Sequence, residues 1–290
     1  MKVCILLSVF LFSLFLSIQP AAADDLVGLV QNLAILAEQE GSLYTVSMDA
    51  APKGIPLATL CGFKRPDYAD GLMHMRKLTV KNDLKLPATF DWRAQNGTTP
   101  VKNQGSCGSC WAFGCVGIFE SAIAIKDSAI IDLSEQDLLD CNTQGYSCDG
   151  GYIDALQYFK EKGCADEKTI PYQQAQKQCR DVARTYKIKD WSAVDSNEAA
   201  VKQAIYTYGP IVTGVTADFS FQFYSGGVYN HNNTGEMNHA VILVGWDDTK
   251  GKKGCWIMKN SWGASWGDKG YMYIEYGCSH IGTESTCVNY

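Results

Sequence analysis

Apolar positions along the 290-residue chain fall into two regimes. In the first half they recur at helical spacing. Leu26, Leu29, Val30, Leu33 and Leu36 mark one helix that stops at Gly41, after which Pro52, Gly54, Pro56, Pro66 and Gly71 break up any long element. An almost wholly apolar run through Ile118, Phe119, Ala122 and Ile125 predicts a buried helix whose first turn holds Cys110. Ser134 followed by Asp137 reads as a capping-box-like start to a short helix ending near Cys141. Ile153, Leu156 and Phe159 mark another, which Gly163 ends.

From about residue 194 the pattern changes to short apolar runs between turn residues. One helix, residues 199–205, closes at Gly209-Pro210. The remaining runs predict strands over 211–215, 227–229, 239–246, 256–259 and 271–276. The pattern therefore sets a leading segment of its own composition (24–85) apart from a helical domain (to 193) and an antiparallel β domain (194–290), an α+β class.

Composition narrows the function. An apolar content of 46% and a charged content of 19% describe a chain with a real core. A net charge of −6, with no Lys/Arg cluster, argues against nucleic acid and leaves a peptide as the better partner. Twelve cysteines point to an oxidising compartment. The N-terminus agrees: Lys2, an apolar run from Val3 to Ile18 interrupted by Ser8, Ser13 and Ser17, then Ala21-Ala22-Ala23, reads as a secretory signal over 1–23. No other stretch is apolar and long enough to span a bilayer, so no membrane is expected after signal removal.

Candidate chemistry starts at Cys107-Gly108-Ser109-Cys110. A thiol at a helix N-terminus meets unpaired N–H groups and the positive end of the helix dipole, which favour the nucleophilic thiolate. Of the four histidines, His239 sits at the start of a strand, which aims one side chain with little play. Asn260 follows the apolar run 256–258 and is the third polar candidate. A C-x-x-C unit also serves redox dithiols and zinc sites, but the βαβ context of the first is missing, and so is a second close Cys/His pair for the other. Taken singly, His239 reads as a hydrogen-bonded core histidine, and Asn260 and Trp262 as turn and core residues.

Four blocks taken together resemble the papain family of cysteine proteases: residues 104–113, residues 133–141 with 148–151, the His239 strand, and residues 260–263. His239 and Asn260 follow Cys110 by about 130 and 150 residues, the separation typical of that family and hence part of the resemblance, not independent of it. The resemblance runs from about Leu86 to the C-terminus. It implies a two-domain papain-like fold and a cysteine endopeptidase working through Cys110, His239 and Asn260. Gln104 is implied as an oxyanion donor, and Trp262 as the indole shielding the His–Asn hydrogen bond.

Gly150 and Gly151 match the glycine pair against which a peptide backbone lies. Tyr152, Ile153, Gly214, Met237 and Ala240 match the pocket for the second residue before the scissile bond, and their types predict a preference there for Leu, Phe or Val. Thr283 is a looser candidate for the pocket floor, and Ile153 and Met237 read equally well as core. No long insertion between Gly151 and Pro171 blocks the cleft, which favours endopeptidase over exopeptidase action. The resemblance also implies the bridges Cys107–Cys148 and Cys141–Cys179.

No cysteine stands shortly before His239 to make the family's usual bridge in the second domain, so Cys255 and Cys278 are an alternative pair; Cys115, Cys164 and Cys287 stay unassigned. Residues 24–85 are implied to be an inhibitory propeptide, although the segment is short and lacks the family's long interspersed Glu-Arg-Phe-Asn helix. No metal or organic cofactor is implied. The expected partners are peptide or protein substrates and the chain's own propeptide. A monomer in a lysosome-like or extracellular setting completes the expectation, with sequons at Asn96 and Asn232.

Overall fold

The structure, a computed structural model, describes residues 23–39, 41–78 and 84–290. The expected signal sequence lies outside these residues except for Ala23. Among the described residues no helix is long and apolar enough to cross a membrane.

The leading segment forms α1 (Ala23–Gln39), β1 (Tyr44–Val46), α2 (Leu57–Leu60) and α3 (Ala69–Met75). Next comes β2 (Thr89–Asp91), and then α4 (Cys110–Asp127), α5 (Glu135–Cys141) and α6 (Leu156–Glu161) build the helical lobe. α4 is buried all round from Cys110 to Ala124, as expected of a helix without a polar face. Ser134 caps α5 by accepting a hydrogen bond from the Asp137 amide at 2.9 Å. Gly163, at φ +88°, turns the chain just beyond α6.

The second lobe contains β3 (Asp190–Val194), α7 (Glu198–Tyr208), β4 (Ile211–Val215), α8 (Phe219–Gln222), β5 (Tyr224–Tyr229), β6 (His239–Asp247), β7 (Cys255–Lys259), β8 (Tyr271–Glu275) and β9 (Ser285–Asn289). The strands form one sheet in the order β1-β5-β8-β7-β6-β4-β9-β3, with β2 added to β6. Pairing is antiparallel throughout except between β5 and β8. The fold is therefore α+β as the pattern indicated, but the lobes interlace. β2 and β3 come from the stretch read as helical, and β1 comes from the leading segment. α8 and β9 were not anticipated from the pattern.

α4 reaches the sheet through two glycines. A Cβ on Gly114 would stand 2.6 Å from Cγ2 of Val212, and one on Gly117 would overlap the Ile242 side chain. Each glycine costs a helix about 1 kcal/mol relative to alanine. Close approach to β4 and β6 offsets it, and Cys110 is thereby held against the strand that carries His239.

Cys107–Cys148 and Cys141–Cys179 are disulfides with Cα separations of 4.7 and 4.8 Å. The alternative pair Cys255–Cys278 does not form, and both are free, buried thiols. The register explains it: Cys255 lies opposite Glu275, whereas Cys278 falls three residues later, past the end of β8 and beyond the left-handed Gly277. Cys115, Cys164 and Cys287 are also free and buried.

Candidate active site

Cys110 opens α4, and His239 opens β6 on the facing lobe; both are fully buried. The sulfur lies against the backbone of Ala240, the neighbour of His239 in the chain. Nε2 of His239 meets Oδ1 of Asn260 at 2.8 Å. That contact fixes the ring and leaves Nδ1 as the buried nitrogen without a hydrogen-bond partner. Trp262 lies over the imidazole with ring centroids 4.6 Å apart, and Phe221 meets it edge-on at 6.2 Å. Water is thus kept from the His239–Asn260 bond.

Gln104 is anchored from the same loop as Trp262. Its Oε1 accepts from Ser261 Oγ at 2.7 Å, and its amide N–H donates to Ser261 O at 2.8 Å. The Nε2 group is left pointing toward the start of α4, donating to Cys107 O at 2.9 Å and to Leu60 O at 3.0 Å.

Leu60 belongs to the leading segment, and residues 60–64 run directly through this cleft. The Gly62 amide donates to Cys110 Sγ at 3.3 Å. Gly151 N–H donates to Gly62 O, and Lys64 N–H donates to Gly151 O, both at 2.9 Å, making a parallel bridge. On the opposite wall, Phe63 N–H donates to Asn238 O at 2.9 Å. The segment is thus stitched to both lobes. A side chain at Gly62 would overlap the Gly108 carbonyl, and one at Gly150 would stand 2.8 Å from Lys64 and 2.9 Å from Gly62 O. Bare backbone on both sides is what permits the approach.

Phe63 fills a side pocket of the cleft. Its ring lies 5.3 Å from that of Tyr152 and 3.0 Å from where a Cβ on Gly214 would be, beside Met237 Sδ. Ala240 and Ile153 are buried in the same core cluster. Thr283 donates to Met237 Sδ at 3.6 Å. The residues singled out from the sequence therefore converge around one stretch of chain. Those not foreseen are Gly62 and Phe63 of the leading segment, Ser261, Asn238 and Glu284. The only sequence signal for the first two was an isolated Gly-Phe pair in a stretch already broken by prolines.

Burial sets the electrostatics while residues 60–64 are in place. It pushes the Cys110 thiol up to about 11, against the pull of the Gly62, Ala240 and helix-start backbone groups. It holds the His239 imidazole down to about 4, although the Asn260 hydrogen bond and the nearby Leu60 backbone work the other way. The covered site is therefore a neutral thiol beside a neutral imidazole, not the ion pair expected of an exposed Cys–His couple, because neither charge has water to solvate it.

No group of three or more His, Cys, Asp or Glu suited to a metal occurs among the described residues. Beneath Asn260, Lys102 joins Glu120 at 2.7 Å and Glu135 at 3.0 Å, and the Lys259 ammonium donates to Thr99 O at 2.8 Å.

Comparison with known proteins gives one consistent answer. Residues 86–289 match the family described as papain family cysteine protease. Mouse cathepsin K is 43% identical over 198 residues, which is 66% of this chain and 60% of that protein's length. A cathepsin L-like peptidase of Aedes aegypti is 35% identical over 247 residues, covering 80% of this chain and 73% of that one. The structure of a digestive procathepsin L2 proteinase from Tenebrio molitor larval midgut superposes with a TM-score of 0.80 at 28% identity, over 92% of this chain and 90% of that one.

Proposed function

The chain belongs to the papain family of cysteine proteases, and from that premise we propose that it is a thiol-dependent endopeptidase synthesised as a zymogen. Residues 24–85 act as the inhibitory propeptide. The observation that carries the reading is the arrangement of His239: Nε2 is held by Asn260 at 2.8 Å, and the free Nδ1 is on the lobe that faces the Cys110 sulfur.

Removal of residues 60–64 admits water and substrate. Cys110 and His239 then charge as thiolate and imidazolium, each stabilising the other. The thiolate attacks the scissile carbonyl carbon, and the imidazolium gives its proton to the leaving amine, leaving an acyl-enzyme. Water, deprotonated by the now neutral His239, attacks the acyl carbon and breaks its bond to sulfur, which releases the acid and restores the thiolate–imidazolium pair. Asn260 keeps the ring oriented, and Trp262 keeps that bond dry. Gln104 Nε2, which in the covered form holds the Leu60 carbonyl, together with the Cys110 amide stabilises the oxyanion.

The zymogen reading is supported by the same segment: it occupies the cleft through Gly62 at the sulfur and Phe63 in the side pocket. Gly151 presents its backbone to a substrate as it does to Gly62 and Lys64. Action on internal peptide bonds, a secretory route to a lysosome-like or extracellular compartment, and a monomeric state complete the proposal.

Labelling the processed protein with a peptidyl epoxide and mapping the adduct is the direct test. The adduct is expected on Cys110 alone, with Cys110→Ala inert toward fluorogenic peptides and still able to bind them. Cleavage by Cys110→Ala at the parental rate would sink the assignment.

A further inference from the structure

Gln104 and the Cys110 amide have to meet one oxyanion, yet they hang from different supports. Gln104 is bonded to Ser261, just past β7 in the second lobe, whereas Cys110 opens α4 in the helical lobe. Residues 105–109, which join them, include Gly105 at φ +57° and Gly108, and the Cys107–Cys148 bridge pins the middle of this loop.

A side chain from elsewhere ties the two ends of the loop together. Tyr172 lies beyond α6, and its hydroxyl donates to the Gln104 carbonyl at 2.8 Å and meets Ser109 Oγ at 2.6 Å. A phenol has one hydrogen and a carbonyl can only accept, so the Ser109 hydroxyl is the donor in the second contact. The ring is set edge-on against Phe113, in the first turn of α4, with centroids 4.9 Å apart, and the Tyr172 amide donates to Glu167 Oε1 at 2.8 Å. Burial pushes the phenol above its ordinary value, so its proton is present throughout acid and neutral pH.

The bond from Ser109 changes the start of α4. A serine just before a helix ordinarily turns its oxygen onto an amide of the first turn. Ser109 makes no such bond. Its hydroxyl is drawn off to Tyr172, and the Cys110 and Trp111 amides are left facing the site, where they act on the Cys110 sulfur.

We propose that Tyr172 is a positioning residue for the oxyanion: its hydroxyl ties the Gln104 backbone to the residue before Cys110 and so sets the spacing between the two donors. The inference rests on the endopeptidase reading. Tyr172, Gln104 and Ser109 all lie beyond residue 85, so the tie survives loss of the leading segment, whereas the Leu60 carbonyl that Gln104 Nε2 also holds does not. Removing an oxyanion donor outright costs about a hundredfold or more in kcat. A donor kept but displaced is expected to cost about tenfold.

The test compares the processed parent with Tyr172→Phe, which keeps the ring on Phe113 and removes only the hydroxyl, and with Ser109→Ala, which cuts the tie at its other end. A dipyridyl disulfide exchanges with the Cys110 thiolate, forming a mixed disulfide and releasing a pyridinethione with no oxyanion; its rate against pH counts folded sites and reads the thiolate–imidazolium pair. A peptide aldehyde adds the same sulfur to its carbonyl carbon and sends the π pair to oxygen, so its affinity reads the donors. A fluorogenic peptide gives kcat and KM.

Tyr172→Phe is expected to lower kcat and aldehyde affinity each by about tenfold, with KM little changed and with the disulfide rate and its pH profile as in the parent. Ser109→Ala is expected to shift the same two quantities by a smaller factor. Equal kcat and equal aldehyde affinity in parent and Tyr172→Phe overturn the inference. So does a loss shared by all the readouts, which would assign the hydroxyl to the fold of the lobe or to the thiolate. Should Tyr172→Phe not fold, Ser109→Ala decides, and aldehyde affinity equal to the parent's overturns the inference. A parent that takes up the disulfide and the aldehyde but cleaves no peptide refutes the endopeptidase reading instead, and the aldehyde arm still decides what Tyr172 does.

Discussion

Burial under residues 60–64 governs the charge of single groups at the site, and its pH consequence has a definite sign. His239 is held near 4 in the covered form, below the ordinary 6.5. A lowered pKa stabilises the covered form fully above about 6.5, and that contribution is lost as pH falls toward 4. The loss is about 3 kcal/mol at most. Cys110, pushed above its usual value, is protonated in both the folded and the unfolded chain across this window and adds no slope. The urea midpoint of the full-length chain should therefore fall steadily from pH 6.5 to 4. A flat profile of midpoint against pH would contradict this.

A synthetic peptide spanning residues 57–70 should inhibit the processed enzyme, and with Gly62→Ala it must push its new Cβ into the Gly108 carbonyl, so its affinity should fall by about a hundredfold. Legibility at this scale tracks how much local chemistry each residue displays. Cys110, His239, Asn260 and Gln104 stood out because the Gln104–Phe113 run, the strand and the Asn-Ser-Trp-Gly turn each have a recognisable form. Glu284 had no such setting. An acidic residue in a short tail between Gly282 and β9 looks like any solvated charge, and only its hydrogen bonds with Tyr152 and Arg65, each more than 130 residues away or in another segment, place it at the site.

Between elements, the contact of α4 with β4 and β6 decides how close the sulfur comes to the imidazole. Gly114→Ala inserts a methyl against the β-branched Val212 and is expected to cost about 1–3 kcal/mol of stability, read as a lower midpoint in urea. It should also depress kcat more than it raises KM, since α4 carries Cys110. The long elements were legible because their periods are sustained: α4 is apolar throughout, and β6 is a nine-residue run with eight buried positions. The short ones were not. α8 is a four-residue turn of helix started by Asp218, whose carboxylate accepts from the Phe221 amide, and nothing in Phe-Ser-Phe-Gln marks it as helical. β9 became a strand because β3 and β4 lie on either side of it, a tertiary cause that the segment itself does not contain.

For the whole molecule, the lobes are joined by strands exchanged between them and by Lys259 of β7, whose buried ammonium donates to Thr99 O at 2.8 Å, while a second, half-buried lysine holds the helical lobe together. Lys102 meets Glu120 of α4 and Glu135 of α5, with Asp132 at 2.7 Å as a more exposed third partner. Lys102→Ala leaves two buried carboxylates uncompensated and should destabilise the protein by about 3–5 kcal/mol, measured as loss of the denaturation midpoint. β2 and β3 fall within the helical half of the apolar pattern because spacing describes consecutive blocks, whereas the sheet recruits strands by edge availability.

That recruitment reaches into the leading segment, where Tyr44, Thr45 and Val46 lie against Gly227, Gly226 and Tyr224 of β5. β5 has β8 on its other flank, so the proposed removal of residues 24–85 would strip one side of it and turn an interior strand into a rim with unsatisfied amides and carbonyls. On that reading, maturation opens the cleft and leaves a naked sheet margin. During refolding, before the lobes close, chains lacking residues 24–85 should be lost to association through that margin, with recovery of monomer falling as concentration rises, while the full-length chain should not.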